Sequence, residues 1–518
     1  MRCIKELCRF LIVTSLAGFA VIGGPGSLTA LAVDESIGNL SPSAVAAGTE
    51  NTCALFATGD VACWGDNHAG AIGNGTFFTD SNLPIAVKDG ALEGNHVSQI
   101  DTGPHTCALL TNGKVACWGE NNEGQLGTGN RNDSEVPVLV DGGALAGQTV
   151  TQIVVGFDHT CALIADGSVA CWGDNNEGQL GTGNRNDSEV PVLVDGGALS
   201  SKVVTQIATG TNHTCALIAG GTVSCWGWNF AGELGIGNTE RSEVPVLVAG
   251  GALTGEIVTE ITTGSSFTCA LIAGGTVSCW GENNSGQLGT GDENDSNIPV
   301  LVDGGSLAGK RVIELGVGTA HACALLSDGT VSCWGRNRYG QLGIGNNTKK
   351  NLPTSSDRGA LNLRTVTQIT LGSYHTCALV ADGSLVCWGF NRSGQLGRGN
   401  NSNTNAAVAV VWPKRATAVE KPTISGSPIV GRQLVANKGR WTGTPVPSFT
   451  YQWYSCTAKI VSATRSVPPA CETIPDSDQP TLTLAEAQRG KFIVIAVTGT
   501  SKTTAATRWL SKSTSAVN

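Results

Sequence analysis

The sequence predicts an all-β chain: a closed ring of seven β-sheet blades followed by a second, smaller β domain. Three observations predict it. Cysteine pairs recur with one period, at Cys53/Cys63, Cys107/Cys117, Cys161/Cys171, Cys215/Cys225, Cys269/Cys279, Cys323/Cys333 and Cys377/Cys387, each pair starting 54 residues after the one before. A period of this size marks a solenoid, a propeller or an array. Within one period "VVTQIATG", "HTCALIAG", "TVSCWG" and "EVPVLV", between residues 203 and 248, read as four short strands around a Gly-rich stretch. Finally, 70 glycines, one methionine and 14% charged residues in 518 describe a turn-rich β chain, not a helical or disordered one.

Residues 1–32 read as a secretory signal. Arg2, Lys5 and Arg9 make the positive start, "FLIVTSLAGFAVI" is an apolar run of 13, and "ALA" at 30–32 is a small-residue cleavage site. A bilayer needs about 20 apolar residues, so the expectation is export, cleavage after Ala32 and no membrane span. Cys8 precedes the apolar run, which excludes the acylated cysteine of a lipoprotein. Cleavage removes Cys3 and Cys8 and leaves 16 of the 18 cysteines, each with a local partner.

The hairpin of each period is legible in "HTCALIADGSVACWGDNNEGQLGTGN", residues 159–184. Ala165, Asp166 and Gly167 fit a three-residue hairpin loop with glycine in the left-handed region. That loop pairs Ile164 with Ser168, and counting back sets Leu163 against Val169, Ala162 against Ala170 and Cys161 against Cys171. The cysteines then form a non-hydrogen-bonded pair, with Cα atoms about 4.5 Å apart, inside the range of roughly 4.4 to 6.8 Å that a disulfide accepts. Ten-residue spacing lacks the CxxC knuckle of zinc sites, and an exported chain favours disulfides. Four strands per unit, seven units and apolar residues on both faces of the central hairpin point to blades buried between neighbours, as in a closed propeller.

A net charge of −9 and a pI near 5.3 argue against nucleic acid or an anionic membrane as partner. His105, His159, His213, His321 and His375 share one repeat position, with Asn51 and Phe267 in the other two blades. Equivalent atoms in adjacent blades lie about 10 Å apart, whereas ligands of one zinc sit roughly 3 to 4 Å apart. The histidines are therefore read as structural hydrogen-bonding groups. "GQLGTGN" has no following Lys-Ser/Thr, so it reads as a turn and not a phosphate loop. "GNRNDSE" at 129–135 and 183–189 and "GDENDSN" at 291–297 lack the spacing of a calcium loop. No Ser/His/Asp set stands out. The chain is read as a non-enzyme with no cofactor and no metal.

The "WG-x-N-x-x-G-Q-L-G" type signature, present in seven copies over residues 43–413, resembles the repeat of the regulator of chromosome condensation family. The resemblance implies a seven-bladed β-propeller. It also brings a range of family activities: nucleotide exchange on a small GTPase, ultraviolet reception in plants, and β-lactamase inhibition by secreted bacterial relatives. The exchange factor uses an inserted β-wedge, for which the uniform spacing leaves no room. Trp64, Trp118, Trp172, Trp226, Trp280, Trp334 and Trp388 occupy the fold's own repeat position and are read as packing.

Periodicity stops after residue 413. Residues 414–422, within "WPKRATAVEKP", read as a linker, and Cys456 and Cys471 make one further pair. Through "YQWYSC" and "TLTLAEAQRGK", residues 423–518 resemble the small immunoglobulin-like β-sandwich modules of bacterial surface and secreted proteins, which serve as spacers or adhesive modules.

Function is sought where the repeats differ. The loop after "CWG" reads "ENNE", "DNNE" and "ENNS" in blades 2, 3 and 5, but "WNFA", "RNRY" and "FNRS" in blades 4, 6 and 7. Equivalent positions emerge on one face, so that face is part acidic and part aromatic and basic. Trp, Tyr and Arg are enriched at binding hot spots. Trp228, Phe230, Arg336, Arg338, Tyr339, Phe390 and Arg392 are therefore the expected binding patch. The expected role is a non-catalytic protein-binding scaffold, secreted or at the cell surface. The alternatives are an inhibitor of a secreted enzyme and a GTPase exchange regulator, and glycans are a second class of ligand.

Overall fold

Four strands per period are what the chain folds into, as shown by the computed structural model, which describes residues 41–140, 142–444, 446–501 and 506–518. The expected signal segment, residues 1–32 with Cys3 and Cys8, lies outside the described residues. In the third period Val150–Val155, His159–Ile164, Val169–Gly173 and Ser188–Leu193 form one antiparallel sheet in sequence order. The other periods repeat it, so seven such sheets succeed one another among the described residues. The fold is all-β and propeller-like. Every residue of His159–Ile164 is buried, because both faces of each second strand pack against neighbouring sheets. That double burial explains the continuous apolar run in "CALI".

The ladder has the expected register: Cys161 faces Cys171, Ala162 faces Ala170 and Leu163 faces Val169. Ile164 N–H donates to Ser168 O at 2.9 Å and Gly167 turns the chain at φ +87°. Seven cross-strand disulfides result. Cys53 bonds Cys63, Cys107 bonds Cys117, Cys161 bonds Cys171 and Cys215 bonds Cys225. In the last three sheets Cys269 bonds Cys279, Cys323 bonds Cys333 and Cys377 bonds Cys387. Cys456–Cys471 adds an eighth among the described residues.

The partners are those expected, but the spacing is not. In all seven hairpins the Cα atoms lie 4.1 Å apart, closer than the about 4.5 Å of an unlinked non-hydrogen-bonded pair. The covalent link draws together two strands that no backbone hydrogen bond holds at that position. Cys63, Cys117, Cys171, Cys225, Cys279, Cys333 and Cys387 each also pair with the fourth strand, as Cys171 does with Val192, so the third strand is bound on both sides.

Adjacent sheets are joined by buried polar ties. Each repeat tryptophan is fully buried and donates its Nε1–H to a backbone oxygen of the preceding sheet at 2.8 to 3.0 Å, as Trp172 does to Gln125 O. Thr160 Oγ1 donates to the same oxygen at 2.8 Å. Since that hydroxyl proton is committed, His105 Nε2 must donate to Thr160 Oγ1, 2.6 Å away. The same His–Thr tie recurs from His159, His213, His321 and His375. These are the hydrogen-bonding histidines expected from their shared repeat position. Burial, with neighbouring histidines adding to it for three of them, pushes His105, His159, His321 and His375 down to about 3 and His213 to about 4.

The seventh sheet meets the first through the same chemistry. His375 Nε2 bonds Thr52 Oγ1 at 2.8 Å, and Trp64 Nε1 donates to Gln395 O at 2.8 Å. Each sheet is built from consecutive strands, so this junction is closed by side chains and by loop backbone bonds, Ser373 N–H to Gly48 O at 3.1 Å and Gly399 N–H to Asn82 O at 2.8 Å, and not by an exchanged strand.

Residues 414–422, expected as a linker, contain the strand Lys414–Ala418, which pairs with Trp441–Thr444. Its alternation buries Ala416 fully. Beyond it, a three-stranded sheet carrying Leu434 and Leu482 packs against a four-stranded sheet carrying Trp453, Ile493, Ile495 and Val497.

Two outcomes follow from the disulfides and the histidines. Cys161→Ala with Cys171→Ala opens one ten-residue link and is expected to lower unfolding free energy in denaturant by up to about 3 kcal/mol. His159→Gln keeps a donor for Thr214 and removes a titrating group. A histidine depressed from 6.5 contributes stability that is complete above that value and is lost as pH falls toward about 3. The melting temperature of the native chain should therefore drop relative to H159Q below about pH 6.5, and parallel curves would contradict the assignment.

Candidate binding face

Strand pairing decides which loops share a face. The first residue of each second strand faces the last residue of the third, as His159 faces Gly173. The turn before the histidine and the loop after "CWG" therefore emerge together, tied by Asp174 N–H to Asp158 O at 2.8 Å. An asparagine shapes each loop: Asn121 Oδ1 accepts from Leu126 N–H, while its Nδ2 donates to Asn130 O and Asn132 O. The side chains that follow are thus presented in equivalent frames.

The expected patch resolves into separate groups. Trp228, half-buried, stacks on Phe230, which is 77% exposed, with centroids 5.8 Å apart, and Arg241 lies over the indole at 5.9 Å. Across the sixth and seventh sheets Tyr339 lies 4.7 Å from Phe390 and 5.6 Å from Tyr374. Arg336 sits over Tyr374 at 5.5 Å and Arg338 over Tyr339 at 5.8 Å. Phe390 is only 7% exposed and anchors this group from below. No ring contact among the described residues joins it to Trp228 and Phe230. Arg392 is exposed and stands apart, acting on Glu50 across the closing junction. Tyr374 and Arg241 were not among the expected residues. Tyr374 directly precedes the histidine position, where other sheets carry Glu50, Pro104 and Asp158, so comparing that column would have found it.

The opposite sector is acidic. Burial, then repulsion from Glu120, Asp174 and Glu123, pushes Asp158 up to about 7. Oxygens of Glu123, Asp174 and Asp187 lie within 4.8 Å of one another. Arg131 supplies their counter-charge, reaching Glu123 at 2.8 Å and Asp187 and Glu189 at 3.1 Å.

The innermost strands line a central channel of about 330 Å³ whose mouth opens among Thr49, Thr211 and Ser265 on this face. Side-chain amides cross-link these strands. Gln152 Oε1 accepts from Ile207 N–H at 2.9 Å while its Nε2 donates to Ile207 O at 3.1 Å. Gln99 and Gln368 do the same at their own junctions. Glu260 and Glu314 replace the amide in two sheets, accepting from Leu315 N–H and Ile369 N–H at 3.2 Å. Burial pushes both up to about 7, against the lowering effect of those N–H groups. In the acid form each carboxyl keeps a donor, as glutamine does.

A family model described as RCC1-like domain matches residues 28–304 and 103–426. The ultraviolet-B receptor UVR8 of Arabidopsis thaliana is 31% identical over 408 residues, covering 78% of this chain and 88% of the receptor. The human E3 ubiquitin-protein ligase HERC2 is 32% identical over 349 residues, covering 66% of this chain and 7% of the ligase. Among solved structures, human WBSCR16 aligns with TM-score 0.60 and 24% identity, over 68% of this chain and 94% of that one. Prp20p of Saccharomyces cerevisiae, in a study of its binding to Gsp1p and histones, aligns with TM-score 0.58 and 22% identity, over 76% and 92%. At these identities the structural likenesses show the fold alone.

The raised carboxyls of the channel set a second pH dependence, opposite in sign to that of the histidines. A glutamate raised from 4.5 contributes stability that is complete below that value and is lost as pH rises through about 7. Glu260→Gln with Glu314→Gln removes that loss. The double variant should gain several degrees of melting temperature over the native chain between pH 5 and about 8; an unchanged difference would show that neither carboxyl holds a proton in the fold.

Proposed function

Because the chain belongs to the RCC1-like domain family, we propose that it is a non-catalytic protein-binding propeller whose partner docks on the aromatic and basic sector of the loop face. In this reading the seven sheets are blades of one closed propeller over residues 43–413. The tail from residue 423 is an immunoglobulin-like spacer. The observation that carries the reading is the group of Tyr339, Tyr374 and Phe390 with Arg336 and Arg338 laid over it. Aromatic rings braced by guanidinium groups offer large contact area at little cost in rotamer entropy, which is why such residues dominate binding hot spots. Prp20p, which binds Gsp1p and histones, supports protein recognition as the use of this fold.

The place of action in this reading is outside the cytosol. Eight disulfides among the described residues belong to an oxidising compartment, and no helix among those residues is long and apolar enough to cross a membrane. Residues 1–32 would be the export signal, removed after Ala32.

The test is capture from secreted and envelope fractions of the source organism, using residues 33–518 and two variants of matched melting temperature. Trp228→Ala with Phe230→Ala addresses one group, and Arg338→Ala with Tyr339→Ala and Tyr374→Ala the other. Loss of a captured protein by about tenfold or more with the second variant is expected. Equal capture by all three baits would overturn the reading.

A further inference from the structure

Two of the repeated ties between sheets are missing at one junction, that of the first and second sheets. Ala44 stands on the inner strand, opposite Leu55, where Gln152 stands opposite Leu163, so no amide bridge crosses. Asn51 stands in the histidine position, too short to reach Thr106 as His105 reaches Thr160. Thr106 Oγ1 keeps its tie to Ala71 O of the first sheet at 2.9 Å, as Thr160 does to Gln125 O, and bonds Thr102 Oγ1 of its own sheet at 2.7 Å in place of a histidine. The Asn51 amide is 1% exposed, and neither its Nδ2 nor its Oδ1 has a hydrogen-bond partner.

The junction of the fifth and sixth sheets shows that nothing in the fold demands this. There Phe267 replaces the histidine and Ala322 replaces the threonine, both fully buried. Polar donor and polar acceptor are lost together and no orphan remains. An unpaired buried amide costs about 1–3 kcal/mol; each histidine tie leaves one Nδ1 without a partner but keeps its Nε2 bonded, whereas Asn51 leaves both its amide nitrogen and its amide oxygen without one.

Asn51 lines a cleft of about 490 Å³ that opens on the loop face above this junction. Glu50, Asp66 and Glu120 line it too, and none of them forms an ion pair with a described residue. No lysine or arginine lines it; the nearest counter-charge acting on Glu50 is Arg392 across the closing junction. Burial raises Glu50 and Asp66, and each also feels the repulsion of Asp80. Three rings complete the cleft: Phe78 at 71% exposure, Phe157 at 42%, and His68, packed edge-on to Phe78 with centroids 4.7 Å apart.

We infer that this cleft binds an organic cation, an alkylammonium or guanidinium head on an apolar stem, with the head among Asn51, Glu50, Asp66 and Glu120 and the stem against Phe78 and Phe157. A bare divalent ion fits less well. Calcium needs oxygens converging at about 2.3–2.6 Å, and the one close set of three carboxylates among the described residues is Glu123, Asp174 and Asp187, which lies outside this cleft and has Arg131 paired with two of its members. Aromatic faces complement a cation carried on a hydrocarbon stem. The site lies in a different sector from the aromatic and basic group and does not rest on it.

Isothermal titration of residues 33–518 at constant ionic strength tests the inference with three probes: spermidine, Nα-acetyl-lysine methylamide and calcium chloride. Asn51→His restores the tie to Thr106 and fills the cleft, so it should melt no lower than the native chain. Glu120→Gln removes one charge without touching the junction. An organic probe is expected to bind with Kd below about 1 mM, and both variants to weaken it by about tenfold or more. Tighter binding of spermidine assigns the site to a free polyamine, and tighter binding of the lysine derivative assigns it to a side chain of a protein partner. No organic binding, unchanged affinity in both variants, or calcium bound more tightly than either organic probe would overturn it.

Discussion

One backbone oxygen per sheet holds this ring together. Gln125 O accepts both the Trp172 indole N–H and the Thr160 hydroxyl from the next sheet, and Thr160 in turn accepts from His105 of its own neighbour. One carbonyl with two lone pairs thereby takes the indole and hydroxyl protons and leaves the hydroxyl oxygen free to accept from His105 Nε2. The oxygen must lie where the indole can reach it, which constrains the Gly-rich loop that carries it. A Cβ at Gly127, which also has φ +68°, would lie 2.8 Å from Trp172 Nε1. The glycine after "GQL" is therefore a matter of contact as much as of turn geometry.

Because these ties run through loop backbone and buried side chains, the exposed side chains of the loop face are free to vary. The asparagine that frames each loop and the carbonyl beneath it stay the same, while the residues beside them range from "DNNE" to "RNRY". The disulfide adds to this independence by clamping each hairpin from within its own sheet. A rigid ring with interchangeable rim residues places chemistry by choosing which sheet carries it, and here acidic and aromatic sectors occupy different parts of one face.

The sheet architecture was legible because a period of 54 residues multiplies each weak local signal by seven. Hairpin register followed from turn type alone, and Cys161 against Cys171 followed from register. The tail was harder: "KRATA" has Pro and charge around it and reads as a linker, yet pairing with Trp441–Thr444 makes it a strand. Of the expected patch, Arg336, Arg338, Tyr339 and Phe390 come together, whereas Trp228 with Phe230 and Arg392 lie elsewhere. Loop sequence orders residues around a ring but does not say how far each side chain leans toward the next sheet. Tyr374 escaped notice because it belongs to a different turn, brought alongside only by the pairing of second and third strands.

Symmetry makes departures informative only when the partner residue is followed as well. Phe267 looks as irregular in sequence as Asn51, but its neighbour Ala322 changes with it and the junction stays free of orphaned polar groups. Glu260 and Glu314 depart from glutamine yet accept from the same backbone N–H groups, so they keep the tie while making it sensitive to protons. Asn51 alone among these alters one half of a pair and leaves the other half, Thr106, in place. A change that keeps or replaces the whole tie serves the ring; a change that strands both atoms of a buried amide beside carboxylates with no ion-pair partner leaves polar groups that a ligand from outside the chain would satisfy.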